Sequence, residues 1–97
     1  MNIYVLIDDD ELVRMTWTFK AEANQVKLQT YASVELFLKD EKNLSRDSLV
    51  YLDSDLGDVL GEEFVLTLHQ LGFLQVHLAT GKDASEVIKN VGHFISI

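Results

Sequence analysis

Acidic side chains form two short groups that lie far apart in this chain. Asp8, Asp9 and Asp10 follow one apolar run, and Asp53 and Asp55 follow another. Carboxylates crowded into one dry cleft repel each other strongly, and a hard divalent cation removes that repulsion. Oxygen ligands suit Mg²⁺ better than zinc or copper. A carboxylate beside such an ion can also act as a nucleophile toward phosphorus.

The apolar runs that precede these acids predict strands. Ile3–Ile7 and Leu49–Leu52 are continuously apolar, which is typical of strands buried on both faces of a parallel sheet. Three further segments have strand patterns: Gln25–Thr30, Gln75–Ala79 and His93–Ile97.

Helices are predicted between the strands. The segment from Glu11 to about Ala23 also alternates like a strand, but the acidic cap before it favours a helix with Leu12, Met15, Phe19 and Ala23 at helical spacing. Trp17 and Phe19 are interpreted as packing residues. The remaining helices are predicted at Ser33 to Leu38, Glu62–Leu71 and Ser85–Val91, with loops at Asp40–Asp47 and Ser54–Gly61.

Strict alternation of strands and helices with short connections predicts a doubly wound α/β fold. The strands are then parallel and joined by right-handed crossovers, giving an open sheet of five strands. In such sheets, binding sites form at the carboxyl ends of the strands. Thr80 follows the fourth strand and joins the acids as a candidate site residue. The alternative for Asp8, Asp9 and Asp10 is a simple N-terminal helix cap.

Composition restricts the class of protein. The 97 residues form one domain, residues 1–97, and they include no cysteine. A net charge of −8 argues against a nucleic-acid partner. The longest apolar run is too short for a membrane span, and no secretory signal precedes it. We therefore expect no membrane partner and a cytoplasmic location.

Three segments resemble the receiver domains of bacterial response regulators. Val5–Arg14 is similar to the acidic opening of that family, and Leu52–Gly61 is similar to its phosphoacceptor loop. Leu78–Gly81 resembles the end of its fourth strand. The resemblance covers almost the whole chain and implies a flavodoxin-like sheet with strand order 2-1-3-4-5.

The resemblance also implies roles for the candidate residues. Asp53 would accept a phosphoryl group from a histidine kinase or a phosphotransfer protein. Asp8, Asp9 and Asp53 would hold Mg²⁺, with Asp55 as a further ligand through its backbone carbonyl. Thr80 would bond the phosphoryl oxygens. No independent enzymatic activity is expected beyond phosphorylation and dephosphorylation of the aspartate.

The sequence departs from the receiver pattern near its end. Ile97 stands where the family has a lysine, although Lys82 could reach the site instead. No residues remain for a fifth helix, so Ile95 or Ile97 would be exposed on one face of the sheet. Exposed apolar surface of this kind usually contacts a partner. We therefore expect a homodimer or a partner protein on that face.

These departures leave two alternatives open. One is a degenerate pseudo-receiver that is never phosphorylated and acts as a protein-interaction or dimerisation module. The other is a Mg²⁺-dependent phosphohydrolase on a similar sheet, for which the sequence supplies no second acid–base residue.

Overall fold

A parallel sheet with four strands forms the centre of the computed structural model, which describes residues 3–53, 55–56 and 59–79. The strand order is β2-β1-β3-β6, and every neighbouring pair is parallel. A separate antiparallel pair consists of β4 and β5. The strands are β1 (Tyr4–Ile7), β2 (Leu28–Tyr31), β3 (Leu49–Asp53), β4 (Asp55–Leu56), β5 (Val59–Leu60) and β6 (Val76–Ala79).

Three α-helices connect the strands of the parallel sheet, as the sequence predicts. They are α1 (Glu11–Ala23), α2 (Val34–Asp40) and α3 (Gly61–Gln70). Side chains cap the first two: the Asp10 carboxylate accepts from two backbone N–H groups of α1, and the Ser33 hydroxyl accepts from one of α2. The α/β fold class is therefore confirmed, and the segment that fits both patterns is a helix.

The two faces of the sheet have separate cores. Val50 and Leu52 of β3 belong to the larger core, which α2 and α3 cover, and Leu49 and Tyr51 belong to the smaller core beneath α1. This alternation follows from the twofold period of a strand. Phe37 lies at the centre of the larger core. Its ring contacts those of three other aromatic residues, Tyr31, Phe64 and Phe73.

Of the two predicted packing residues of α1, Trp17 is confirmed and Phe19 is not. Trp17 and Ala21 are buried, whereas Phe19 is exposed, so the packing role predicted for Phe19 is wrong. The helix has two apolar stripes at helical spacing, and periodicity alone does not tell which one meets the sheet. Trp17 occupies the sheet side because its ring packs edge-on against Tyr51, with 5.0 Å between ring centroids.

Two predicted loops contain regular structure instead. The segment predicted as a loop from Ser54 to Gly61 includes β4 and β5, which pair as a short hairpin. Its sequence has Gly57-Asp58 between two strand-forming pairs, a pattern typical of tight hairpin turns. In the predicted loop Asp40–Asp47, Glu41–Asn43 form a 3₁₀ turn. It continues directly from α2, as often happens at helix C-termini.

The last helix and the last strand predicted from the sequence follow β6 in the chain. The fourth helix, Ser85–Val91, and the fifth strand, His93–Ile97, lie outside the described residues. Within those residues the parallel sheet has four strands rather than five. No helix in this part of the chain is both long and apolar enough to cross a membrane.

Candidate functional site

Pairing of β1 with β3 brings the two acidic groups together. The register places Ile7 opposite Leu52, so the residues that follow them emerge side by side at the carboxyl edge of the sheet. One carboxylate oxygen from each of Asp8, Asp9 and Asp53 lies within 4.8 Å of the others. Three of the four acids predicted as metal ligands therefore form a single cluster.

Asp8 is the most buried member of this cluster, with only 9% of its surface exposed. Its removal from water raises its pKa from 3.8 to about 6, and the nearby charges of Asp53, Asp9 and Asp10 add to the rise. A hydrogen bond from a backbone N–H acts in the opposite direction. The environment of Asp8 thus disfavours its negative charge in the absence of a cation.

Asp10 has a different role from its two neighbours. Its carboxylate accepts from the backbone N–H groups of Leu12 and Val13, so it is the N-cap of α1. Its own backbone N–H donates to the Asp8 carboxylate at 2.9 Å. The cap interpretation therefore applies to Asp10, and the same residue orients the side chain of Asp8.

Arg14 attaches α1 to the edge of the site. Its guanidinium donates to the backbone carbonyl of Asp8 at 2.7 Å. Sequence reasoning assigned no role to Arg14, although the separation of six residues could have suggested a contact from the second helical turn back to the end of β1. The bond fixes the backbone immediately before Asp9.

The donor set of the cluster fits a hard divalent cation. Its side chains supply carboxylate oxygens alone, the ligand type preferred by Mg²⁺ and Ca²⁺. Asp9 is exposed, so the cluster is open to an incoming ion and to a second reactant. Repulsion among three carboxylates at these distances would decrease when such a cation binds.

Three other predicted residues are described only in part or not at all: Asp55, Thr80 and Lys82. The backbone of Asp55 lies at the start of β4, two residues beyond Asp53. Thr80 and Lys82 lie outside the described residues. Ala79, the last residue of β6, lies beside Asp53 in the register of the sheet. Thr80 follows Ala79 directly in the sequence.

Comparison with known proteins adds no identification. No protein-family model, no curated protein and no solved structure matches this chain.

Proposed function

We propose that this chain is a receiver-like signalling module in which Asp53 accepts a phosphoryl group in a Mg²⁺-dependent reaction. The observation that carries the proposal is the convergence of the Asp8, Asp9 and Asp53 carboxylates within 4.8 Å at the carboxyl edge of a parallel sheet. The phosphodonor would be a histidine kinase or a phosphotransfer protein.

Each acid in the cluster has a distinct task under this proposal. A carboxylate oxygen of Asp53 forms a bond to phosphorus, while the bond from phosphorus to the donor imidazole nitrogen breaks and that nitrogen regains a proton. Asp8 and Asp9 would hold the cation with Asp53, and the backbone carbonyl of Asp55 would complete the protein ligands. When bound, Mg²⁺ neutralises the charge of the phosphoryl oxygens.

The complete fold under this proposal has five strands. The observed order β2-β1-β3-β6 matches the first four positions of the flavodoxin-like order 2-1-3-4-5. His93–Ile97 would add the fifth strand beyond β6. Thr80 would then donate its hydroxyl to the phosphoryl oxygens from the position that follows Ala79.

Intact mass spectrometry after incubation with acetyl phosphate tests the proposal. With Mg²⁺ present we expect one phosphoryl adduct, and we expect none with EDTA. The Asp53→Asn variant should abolish the adduct, whereas Asp47→Asn, an exposed aspartate in the loop before β3, should retain it. Absence of any adduct, or its persistence in Asp53→Asn, would contradict phosphoryl acceptance at Asp53.

A degenerate pseudo-receiver is the second candidate. It is favoured by the isoleucine at position 97 in place of the family's lysine and by the exposed apolar side chains on α1. This candidate predicts that Mg²⁺ raises the Tm without any phosphoryl adduct. If neither an adduct nor a change in Tm occurs, the metal-binding role fails as well.

A homodimer or a partner protein that contacts Ile95 or Ile97 stays a prediction. Ile95 and Ile97, which would form the contact surface, lie outside the described residues. A homodimer through this surface would appear as a doubled mass in light scattering. A monomer at high concentration would contradict the dimer.

A further inference from the structure

Helix α1 carries a row of apolar side chains on the side that faces away from the sheet. Leu12, Met15 and Phe19 are 69%, 61% and 75% exposed. Their spacing of three and four residues places them on one face of the helix, opposite the buried Trp17. Water thus contacts a continuous apolar stripe along two turns of α1.

Two threonines extend this apolar surface. The hydroxyl of Thr16 donates to the backbone carbonyl of Leu12, and the hydroxyl of Thr18 donates to that of Arg14. Each hydroxyl therefore donates its hydrogen bond within the helix and does not need an acceptor on a partner protein. The methyl group is the remaining part of each side chain that can pack against one.

An open groove of about 430 Å³ lies between this helix and the neighbouring strand β2. Met15, Thr18 and Phe19 line it from α1, and Thr30 lines it from β2. Because α1 has 13 residues, its length is about 20 Å. The groove is thus bordered by a helix long enough to pack against a second helix through several turns.

Acidic side chains border the groove. Glu11 and Glu22 line it and are exposed, and the ion pair between Arg46 and Glu41 lies elsewhere in the fold. Glu22 lies in the last turn of α1, where a negative charge is unfavourable for the helix dipole. Arg14 also lines the groove, and its guanidinium donates to the backbone carbonyl of Asp8, so the lining has two acidic side chains and one basic side chain.

These charges favour a different protein over a second copy of this chain as the binding partner of the groove. A second copy would bring another net charge of −8 and its own Glu11 and Glu22 toward the same surface. Like charges placed opposite each other oppose such pairing. A partner with an apolar stripe flanked by basic side chains could pack against Met15 and Phe19 and pair with Glu11 and Glu22.

We propose that the groove between α1 and β2 binds an amphipathic helix of another protein, with apolar side chains on one face and lysine or arginine at its flanks. Anchors spaced like Leu12, Met15 and Phe19 would pack along α1, and the basic flanks would pair with Glu11 and Glu22. This binding surface does not require phosphorylation of Asp53.

Fluorescence anisotropy with a synthetic peptide tests the inference. The probe is a labelled helical peptide of about four turns, made of leucine on one face and lysine on the other. We expect saturable binding to the full chain that weakens as salt increases. Phe19→Ala should raise the Kd at least about tenfold, and Glu11→Gln with Glu22→Gln should raise it about threefold.

Matched controls distinguish binding in the groove from nonspecific electrostatic binding to an acidic protein. Leu66→Ala removes an equally exposed apolar side chain from α3, and Glu63→Gln removes an exposed charge there; neither should change the Kd. A peptide of the same composition with scrambled order should not bind. Equal binding of the scrambled peptide, or an unchanged Kd in Phe19→Ala, would overturn the proposal.

The folded state and the oligomeric state of each variant are measured alongside binding. Circular dichroism should show that Phe19→Ala is folded, because the replaced side chain is exposed. Light scattering should give the same mass for the unmodified chain and for this variant. A dimer that Phe19→Ala dissociates would overturn the proposal and assign the stripe to a second copy of the chain.

Discussion

Replacing Asp8 with asparagine is expected to stabilise the protein when no divalent cation is present. Burial and the neighbouring carboxylates raise the pKa of Asp8 from 3.8 to about 6 in the folded state. The folded state therefore holds the proton to higher pH than the unfolded state does. Stability is consequently lost as the pH rises from about 4 to about 6, and the loss persists at neutral pH.

The size of the effect follows from the two pKa values. The difference between 3.8 and about 6 corresponds to at most about 3 kcal/mol of unfolding free energy at neutral pH, and solvent screening at this open edge of the sheet reduces the contribution to about 2 kcal/mol. Asparagine keeps an oxygen that can accept from the backbone N–H of Asp10, and the weaker bond to a neutral acceptor is already contained in the pKa difference. We expect a net gain of about 2 kcal/mol, or about 10 °C in Tm.

Urea and thermal unfolding, followed by circular dichroism in EDTA, measure this effect at about pH 7.5 and about pH 4. The gain should be present at the higher pH and largely absent at the lower one, where Asp8 is protonated in the folded chain. Asp47→Asn serves as the control and should change stability by less than about 0.5 kcal/mol. A destabilised Asp8→Asn at neutral pH, or an equal gain at both pH values, would refute the reasoning.

Three further predictions concern the packing that supports the site, and urea unfolding measures each. Phe37→Ala should cost about 3–5 kcal/mol, because it opens a cavity among the aromatic rings of the larger core; a cost below about 1 kcal/mol would contradict that packing. Arg46→Ala should cost about 2 kcal/mol, because it leaves the buried carboxylate of Glu41 unpaired and uncovers the ring of Phe73. Adding Glu41→Gln should recover part of this loss, and no recovery would argue against an electrostatic cause. Gly72→Ala should cost about 1 kcal/mol, because Gly72 has a φ of 98°; an unchanged midpoint would contradict this.

Local sequence signals were sufficient for the three α-helices and for the four strands of the parallel sheet among the described residues. The apolar runs at Ile3–Ile7 and Leu49–Leu52 correspond to β1 and β3, because a strand covered on both faces needs apolar side chains at every position. The cap at Asp10 correctly indicated the start of α1. The hairpin of β4 and β5 was missed, although the Gly57-Asp58 pair between them was visible in the sequence.

The side of α1 that meets the sheet could not be read from periodicity. Two apolar stripes compete on this helix, and both have helical spacing. The choice depends on the fit of Trp17 against Tyr51 across the smaller core, which is a contact between residues distant in the chain. The exposed stripe of Leu12, Met15 and Phe19 is the consequence of that choice.

For the candidate site, the sequence by itself determined which residue types follow β1 and β3, and therefore that carboxylates reach one edge of a parallel sheet. The tertiary structure decided how these acids divide their tasks. Asp10 caps a helix, whereas Asp8 is drawn out of water beside Asp9 and Asp53. The physical reason is that the positions of strands and helices along the chain are encoded in local patterns, but burial and the distance between charges arise only when separate segments pack together.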